Sequence, residues 1–168
     1  MRKITLLLVS IFMVGGSSAF AQYQRTGKLN RWTNHRVSRL NAPDGQMRIV
    51  RVARNDGFDR VVFEFADGVP SFLVSYASPP ILEETTMAPV EISGTAVLVV
   101  TFSFYYGEHT SIYQGFPGGK LDLPVLNEIK NIDSSEGVMS YALDLQVRRP
   151  FRVSTLANPA RLVVDIKQ

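Results

Sequence analysis

Apolar residues fall on every second position along Met139–Gln146: Met139, Tyr141, Leu143 and Leu145 alternate with Ser140, Ala142, Asp144 and Gln146. A repeat of two is the side-chain period of an extended strand, and a helix, which repeats about every 3.6 residues, cannot gather such a set on one face. The first four residues are therefore expected to face inward and the other four outward. Arg60–Phe65 carries the same texture, with Val61, Phe63 and Phe65 on one face and Arg60, Val62 and Glu64 on the other. Asp67-Gly68 and Pro70 supply turn chemistry, and Phe72, Val74 and Tyr76 then alternate with Leu73 and Ser75, which predicts a hairpin. Further strand signals lie at Val90–Ile92, at Ala96–Phe104 after Gly94, at Phe151–Leu156 and at Arg161–Lys167. Residues 77–89 read as a loop punctuated by Pro79, Pro80 and Pro89, and Gly107–Gly119 as a Gly-rich loop. Leu121–Ile132 is open between helix and strand: Leu126 and Ile129 suit one helical turn, while Pro124 suits a strand edge or a helix start. Many short strands with turns between them, and no amphipathic helix, predict an all-β antiparallel sandwich or barrel.

The N-terminus reads differently. Arg2 and Lys3 precede an apolar run from Ile4 to Val14, followed by small residues and Ala19-Phe20-Ala21. That run is too short for a membrane helix, which needs about 20 apolar residues. It has the layout of a removable export signal over residues 1–21, cleaved near Ala21. Processing there leaves 147 of the 168 residues, enough for one domain. The expected location is the periplasm or the exterior, with no stable membrane anchor after cleavage and no nucleic acid as partner. The chain has no cysteine, which excludes disulfides, thiolate metal sites, a thiol nucleophile and N-terminal lipidation.

Residues 22–46 have neither strand nor helix period and read as an irregular basic arm in which Trp32 and Leu40 are isolated apolar residues. The sandwich domain is expected over 47–168. Charge is uneven. Two of the 18 basic residues lie in the signal, leaving 16 against 15 acids; residues 22–60 hold nine Lys or Arg, and Val61–Gly119 holds none. A basic lead segment suits a polyanion such as cell-wall polymer, but no dense Lys/Arg block is present, and a solvated arm accounts for the same pattern.

Arg60-Val61-Val62-Phe63-Glu64-Phe65 and Arg161-Leu162-Val163-Val164-Asp165-Ile166 share one spacing of Arg, three apolar residues, an acid and an apolar residue. The echo suggests equivalent strands in two related sheets. The run Val52–Phe65 (VARNDGFDRVVFEF) resembles the opening of AMIN-like domains of bacterial secreted proteins and lipoproteins, and FRVSTLANPARLVVDI at 151–166 resembles that family's last hairpin. Ser93–Leu98 and Ser135–Val138 fall where its middle elements would be. The resemblance covers roughly 47–167 and implies a β-sandwich of two small sheets in an envelope protein. The related AMIN domains target cell-wall amidases and secretin machinery, so it also implies contact with peptidoglycan. Unlike many lipoprotein members, this chain has no lipidation Cys, and it carries no amidase or secretin domain.

Chemistry-bearing motifs are sparse. His35 and His109 are far apart with no ligand-spaced neighbours, whereas a metal site needs three or four convergent ligands. There is no G-x-S-x-G elbow and no P-loop, since Gly115–Gly119 lacks the Lys-Ser/Thr pair. No catalytic residue, metal or cofactor is expected. The binding candidates are Tyr105, Tyr113 and Phe116, from an aromatic-rich stretch, and Arg60 and Arg161. Tyrosine and phenylalanine faces suit sugar rings or a protein interface. A guanidinium fork suits a carboxylate, although an outward Arg beside Glu64 or Asp165 is also the pattern of a cross-strand ion pair. The function expected is an exported non-catalytic binding module contacting cell-wall polymer or an envelope protein. The alternatives are a carboxylate-dependent envelope hydrolase, or an assembly subunit that pairs through a strand edge.

Overall fold

A computed structural model describes residues 27–43, 45–83, 86–104, 119–135 and 137–168; the segment read as a signal lies outside them. Alternation turns directly into burial: along Phe58–Phe65 every second residue, starting at Asp59, is buried. Among the described residues there are nine strands and no helix. They are β1 (Val37–Arg39), β2 (Met47–Asn55), β3 (Phe58–Phe65), β4 (Ser71–Ala77), β5 (Ala96–Ser103), β6 (Leu126–Ser135), β7 (Val138–Leu145), β8 (Phe151–Leu156) and β9 (Ala160–Lys167). One sheet has the order β1-β4-β5-β7-β6 and the other β2-β3-β9-β8, with every pairing antiparallel.

The core lies between these sheets. Phe63 meets Phe102 at 5.1 Å and Tyr141 at 5.2 Å between ring centroids, and Phe65 meets Phe102 at 5.2 Å. Such tilted and edge-on pairs add about 0.5–1.5 kcal/mol each beyond the area they bury. The Tyr141 hydroxyl, fully buried, donates toward the sulfur atoms of Met47 and Met139.

Several expectations change. Ala66–Pro70 is not a hairpin turn: β3 and β4 belong to different sheets. The reason is that β3 already has β2 on one edge and β9 on the other, so the chain must cross over, and β4 pairs with β1 and β5. The hairpin partner of β3 is β2, joined through Asp56 and Gly57, whose φ of 78° favours glycine. The two echoed strands are not in separate sheets either; they are β3 and β9, adjacent in one sheet. Val90–Ile92 forms no strand, and Leu121–Ile132 resolves into a link followed by β6.

The outward set of β7 is not solvated. Ser140, Ala142 and Asp144 are buried because the link between β4 and β5 folds over that face of the five-stranded sheet. Ile81 packs with Val97, Ile132 and Ala142, and Val90 and Ile92 pack against them. Asp144 ties the link down by accepting bonds from the Ser93 amide (2.9 Å), the Ser93 hydroxyl (2.7 Å) and the Gly94 amide (2.9 Å). A Cβ at Gly94 would collide with the Leu145 carbonyl, so the close approach requires glycine. Asp59, also buried, accepts from the amides of Val125 and Leu126 and from Gln168 Nε2, fixing the entry to β6 beside the chain end.

The stretch read as an irregular arm carries β1, which the sequence reading left out. Val37 is buried against the core. Ahead of it, Thr33 bridges Phe151 through two backbone bonds of 2.8 Å, and the Asn30 amide donates to the Val153 carbonyl. Leu29, Trp32, Val37 and Leu40 are scattered along this stretch and give no periodicity for a sequence reading to detect. Tyr76 ties β4 to the link before β8: its hydroxyl donates to the Arg149 carbonyl and accepts from the Arg149 amide at 3.1 Å. Burial pushes the Tyr76 phenol above its ordinary value, against the opposing effects of the bond donated by the Arg149 amide and of the Arg148 charge. A raised phenol contributes stability that is complete below its unfolded value and is lost as pH rises through the folded one. The melting temperature should therefore fall above about pH 10, and Tyr76→Phe should flatten that alkaline fall in a thermal-unfolding series.

Candidate functional site

Register places the echoed charges opposite one another. In the β3–β9 ladder Arg60 faces Asp165 and Glu64 faces Arg161; in the β8–β9 ladder Arg152 faces Asp165. Asp165 thus lies between two arginines on the outer face of the four-stranded sheet. Arg60 reaches it with Nε (2.6 Å) and Nη2 (3.1 Å), and Arg152 with Nε (3.1 Å) and Nη2 (2.6 Å). Asp165 is 1% exposed while the side chains of Arg60 and Arg152 are 35% and 32% exposed. The guanidiniums therefore form a lid over the carboxylate. Hydrogen bonding to Asp165, partly opposed by desolvation, raises the Arg60 pKa above its already high value.

Aromatic rings complete the cluster. The Arg60 guanidinium sits 5.1 Å from the Phe58 ring centroid, and that of Arg152 lies 4.8 Å from Trp32 and 5.7 Å from Phe58. Trp32 meets Phe58 edge-on at 6.4 Å and is 40% exposed. The Thr33–Phe151 bridge delivers Trp32 to this face beside Arg152, which follows Phe151 in β8. The result is a surface of two cations, one buried anion and two rings. The guanidinium N–H groups not used on Asp165 find no acceptor among the described residues. Chemically, such a surface offers donors to carboxylate and carbonyl oxygens and ring faces to apolar or sugar surfaces.

Of the sequence candidates, Arg60 is central to this surface. Arg161 is not part of it. It lies four residues along β9, roughly 13 Å away at strand rise, and its Nε donates to the Pro159 carbonyl. Its cross-strand neighbour Glu64 pairs instead with Arg51 at 2.5 Å. Tyr105, Tyr113 and Phe116 lie outside the described residues, as does His109; His35 is exposed. Sequence reasoning missed Trp32, Phe58, Arg152 and Asp165 as one site. A signal for part of it existed: once Phe151–Ile166 is taken as a hairpin about Ala157–Pro159, counting outward sets Arg152 opposite Asp165.

Among the described residues no group of three or more His, Asp or Glu could hold a metal ion. The buried carboxylates of Asp59, Asp144 and Asp165 are each committed to different partners at different places in the fold. The edge strand β2 exposes Arg48, Arg51 and Arg54, and charged side chains of this kind discourage the addition of another strand.

Asp165→Asn should cost about 1–2 kcal/mol in urea unfolding, the low end for a charged group because both arginines are partly solvated. The same change should increase acrylamide quenching of Trp32, since Arg152 loses the anchor that holds it over the indole.

Compared with known proteins, the chain matches the family model of the AMIN-like domain over residues 45–168. No curated protein and no solved structure matches it.

Proposed function

The chain belongs to the AMIN-like domain family, a family of cell-envelope modules, and from that premise we propose that it is an exported, non-catalytic binding module that contacts peptidoglycan. The contact surface in this reading is the outer face of the four-stranded sheet, centred on Trp32, Phe58, Arg60 and Arg152. The observation that carries it is Asp165: buried beneath two arginines, it holds both guanidiniums over aromatic rings with donors still turned outward. Peptidoglycan combines sugar rings with peptide carboxylates, which are the two partners that rings and guanidiniums take. Preorganisation matters here because side chains already held in place lose less freedom on binding. An export signal over residues 1–21 belongs to the same reading, in which the module works in the periplasm or outside the cell.

A second occupant of the same face is an envelope protein, favoured by the presence of an exposed Trp beside Arg, the pairing enriched among residues that dominate protein interfaces. The arginine-bearing β2 edge speaks against strand addition at that edge.

Co-sedimentation of the purified protein with insoluble peptidoglycan tests the polymer reading. Trp32→Ala and Arg152→Gln should each lower the apparent affinity about tenfold, equivalent to about 1.4 kcal/mol. Arg54→Gln, which removes the same charge from the β2 edge, should leave it unchanged. If the unaltered protein fails to sediment above a control, the polymer contact is removed; if all three variants bind alike, the assigned face is wrong.

A further inference from the structure

The segment preceding β1 carries Trp32 to one side of the sandwich and His35 and Arg36 to another. There they border a depression of about 400 Å³ shared with Leu73, Ser75, Tyr76 and Arg148. Its lining contains two arginines and a histidine and no carboxylate. Arg60 and Arg152 share Asp165, and Arg51 holds Glu64, but neither Arg36 nor Arg148 pairs with an acid among the described residues. Cations gathered in a concavity without a counter-charge raise the local concentration of anions and reward their binding.

The walls are held in place by bonds of their own. The Arg148 guanidinium lies 4.1 Å from the Tyr76 ring centroid, and its Nη2 donates to the Asn34 carbonyl at 3.2 Å. The Tyr76 hydroxyl is taken up by the Arg149 backbone, so the ring acts as a platform for Arg148. In the segment before β1 the Arg36 carbonyl accepts from the Gly27 amide at 2.7 Å, the His35 amide donates to the Thr33 hydroxyl at 3.0 Å, and Thr33 is bridged to Phe151. The donors are therefore mounted on a fixed backbone.

We propose that this depression is an oxyanion site that takes phosphate esters. A phosphate ester presents three strong acceptor oxygens where a carboxylate presents two. Here the lining offers two guanidiniums, those of Arg36 and Arg148, together with the His35 imidazole and the Ser75 hydroxyl. That arrangement suits a tetrahedral anion whose oxygens accept from several directions. The volume falls within the range of about 300–1,000 Å³ usual for small-molecule sites, leaving room for a sugar-sized group behind the phosphate. The site lies apart from the Trp32–Arg152 face and does not depend on the peptidoglycan reading.

Titration of isotopically labelled protein with glucose 6-phosphate, followed by NMR, tests it. Amides of residues 34–36 and 75–76 and the Arg148 Nε–H should shift saturably, with millimolar affinity; glucose should produce no such shifts, and inorganic phosphate should compete. Arg36→Gln and Arg148→Gln should each weaken binding about tenfold. Arg36 is exposed, and among the described residues only its backbone makes hydrogen bonds, so its variant keeps the test valid if Arg148→Gln unfolds. Vesicles containing phosphatidylglycerol separate the two sources of the ligand: Arg36-dependent sedimentation assigns a lipid phosphate, and phosphate-sugar binding without sedimentation assigns a soluble ester. Absence of saturable shifts with glucose 6-phosphate, or binding indifferent to Arg36→Gln, would overturn the site.

Discussion

The pairing of β3 with β9 is the contact on which the rest of the molecule depends. These strands are the two central members of the four-stranded sheet, and their register decides both of its faces at once. Inward, Val61 pairs with Val164 and Phe63 with Leu162, flanked by Phe65 and Ile166, and all six are buried. Phe63 and Phe65 carry that burial across to Phe102 and Tyr141 of the other sheet. Outward, the same register sets Arg60 opposite Asp165. A slip of one residue would turn every apolar side chain to the wrong face and separate the ion pair. Core and surface cluster are therefore two consequences of one alignment.

The two outer faces have different fates. That of the five-stranded sheet is covered where Ile81, Val90 and Ile92 lie over Val97, Ile132 and Ala142, with Asp144 holding the covering link through Ser93 and Gly94. That of the four-stranded sheet bears partly exposed arginines and rings at its centre. In the proposed function this asymmetry directs a partner to one face. The N-terminal segment adds to both sides of the picture, placing Trp32 on the sheet face and Arg36 at the second depression.

Period two made the strands legible but not their partners. The alternation in Arg60–Phe65 and in Phe72–Tyr76 is real in each case, yet adjacency in sequence suggested a hairpin where the chain crosses between sheets. Whether β3 has a vacant edge depends on β9, about a hundred residues away, and local pattern carries no such information. For the same reason the outward residues of β7 looked solvent-facing, since their cover comes from a link without periodicity. Arg60 was readable because its spacing to Glu64 repeats in Arg161 and Asp165; its companions were not, because Trp32, Phe58 and Arg152 come from three separate segments. The family likeness, resting on the two terminal runs, was legible before any coordinates and agrees with the family match.

Trp32 is the chain's one tryptophan, so its fluorescence reports on the proposed contact surface without any label. Titration with soluble peptidoglycan fragments, monitored by Trp32 emission and acrylamide quenching, tests the central claim directly. The account predicts a saturable change in emission together with protection from quenching, as the ligand covers the indole beside Arg152. Fragments that bind, by an independent measure such as calorimetry, while leaving Trp32 emission and quenching unaltered would contradict it.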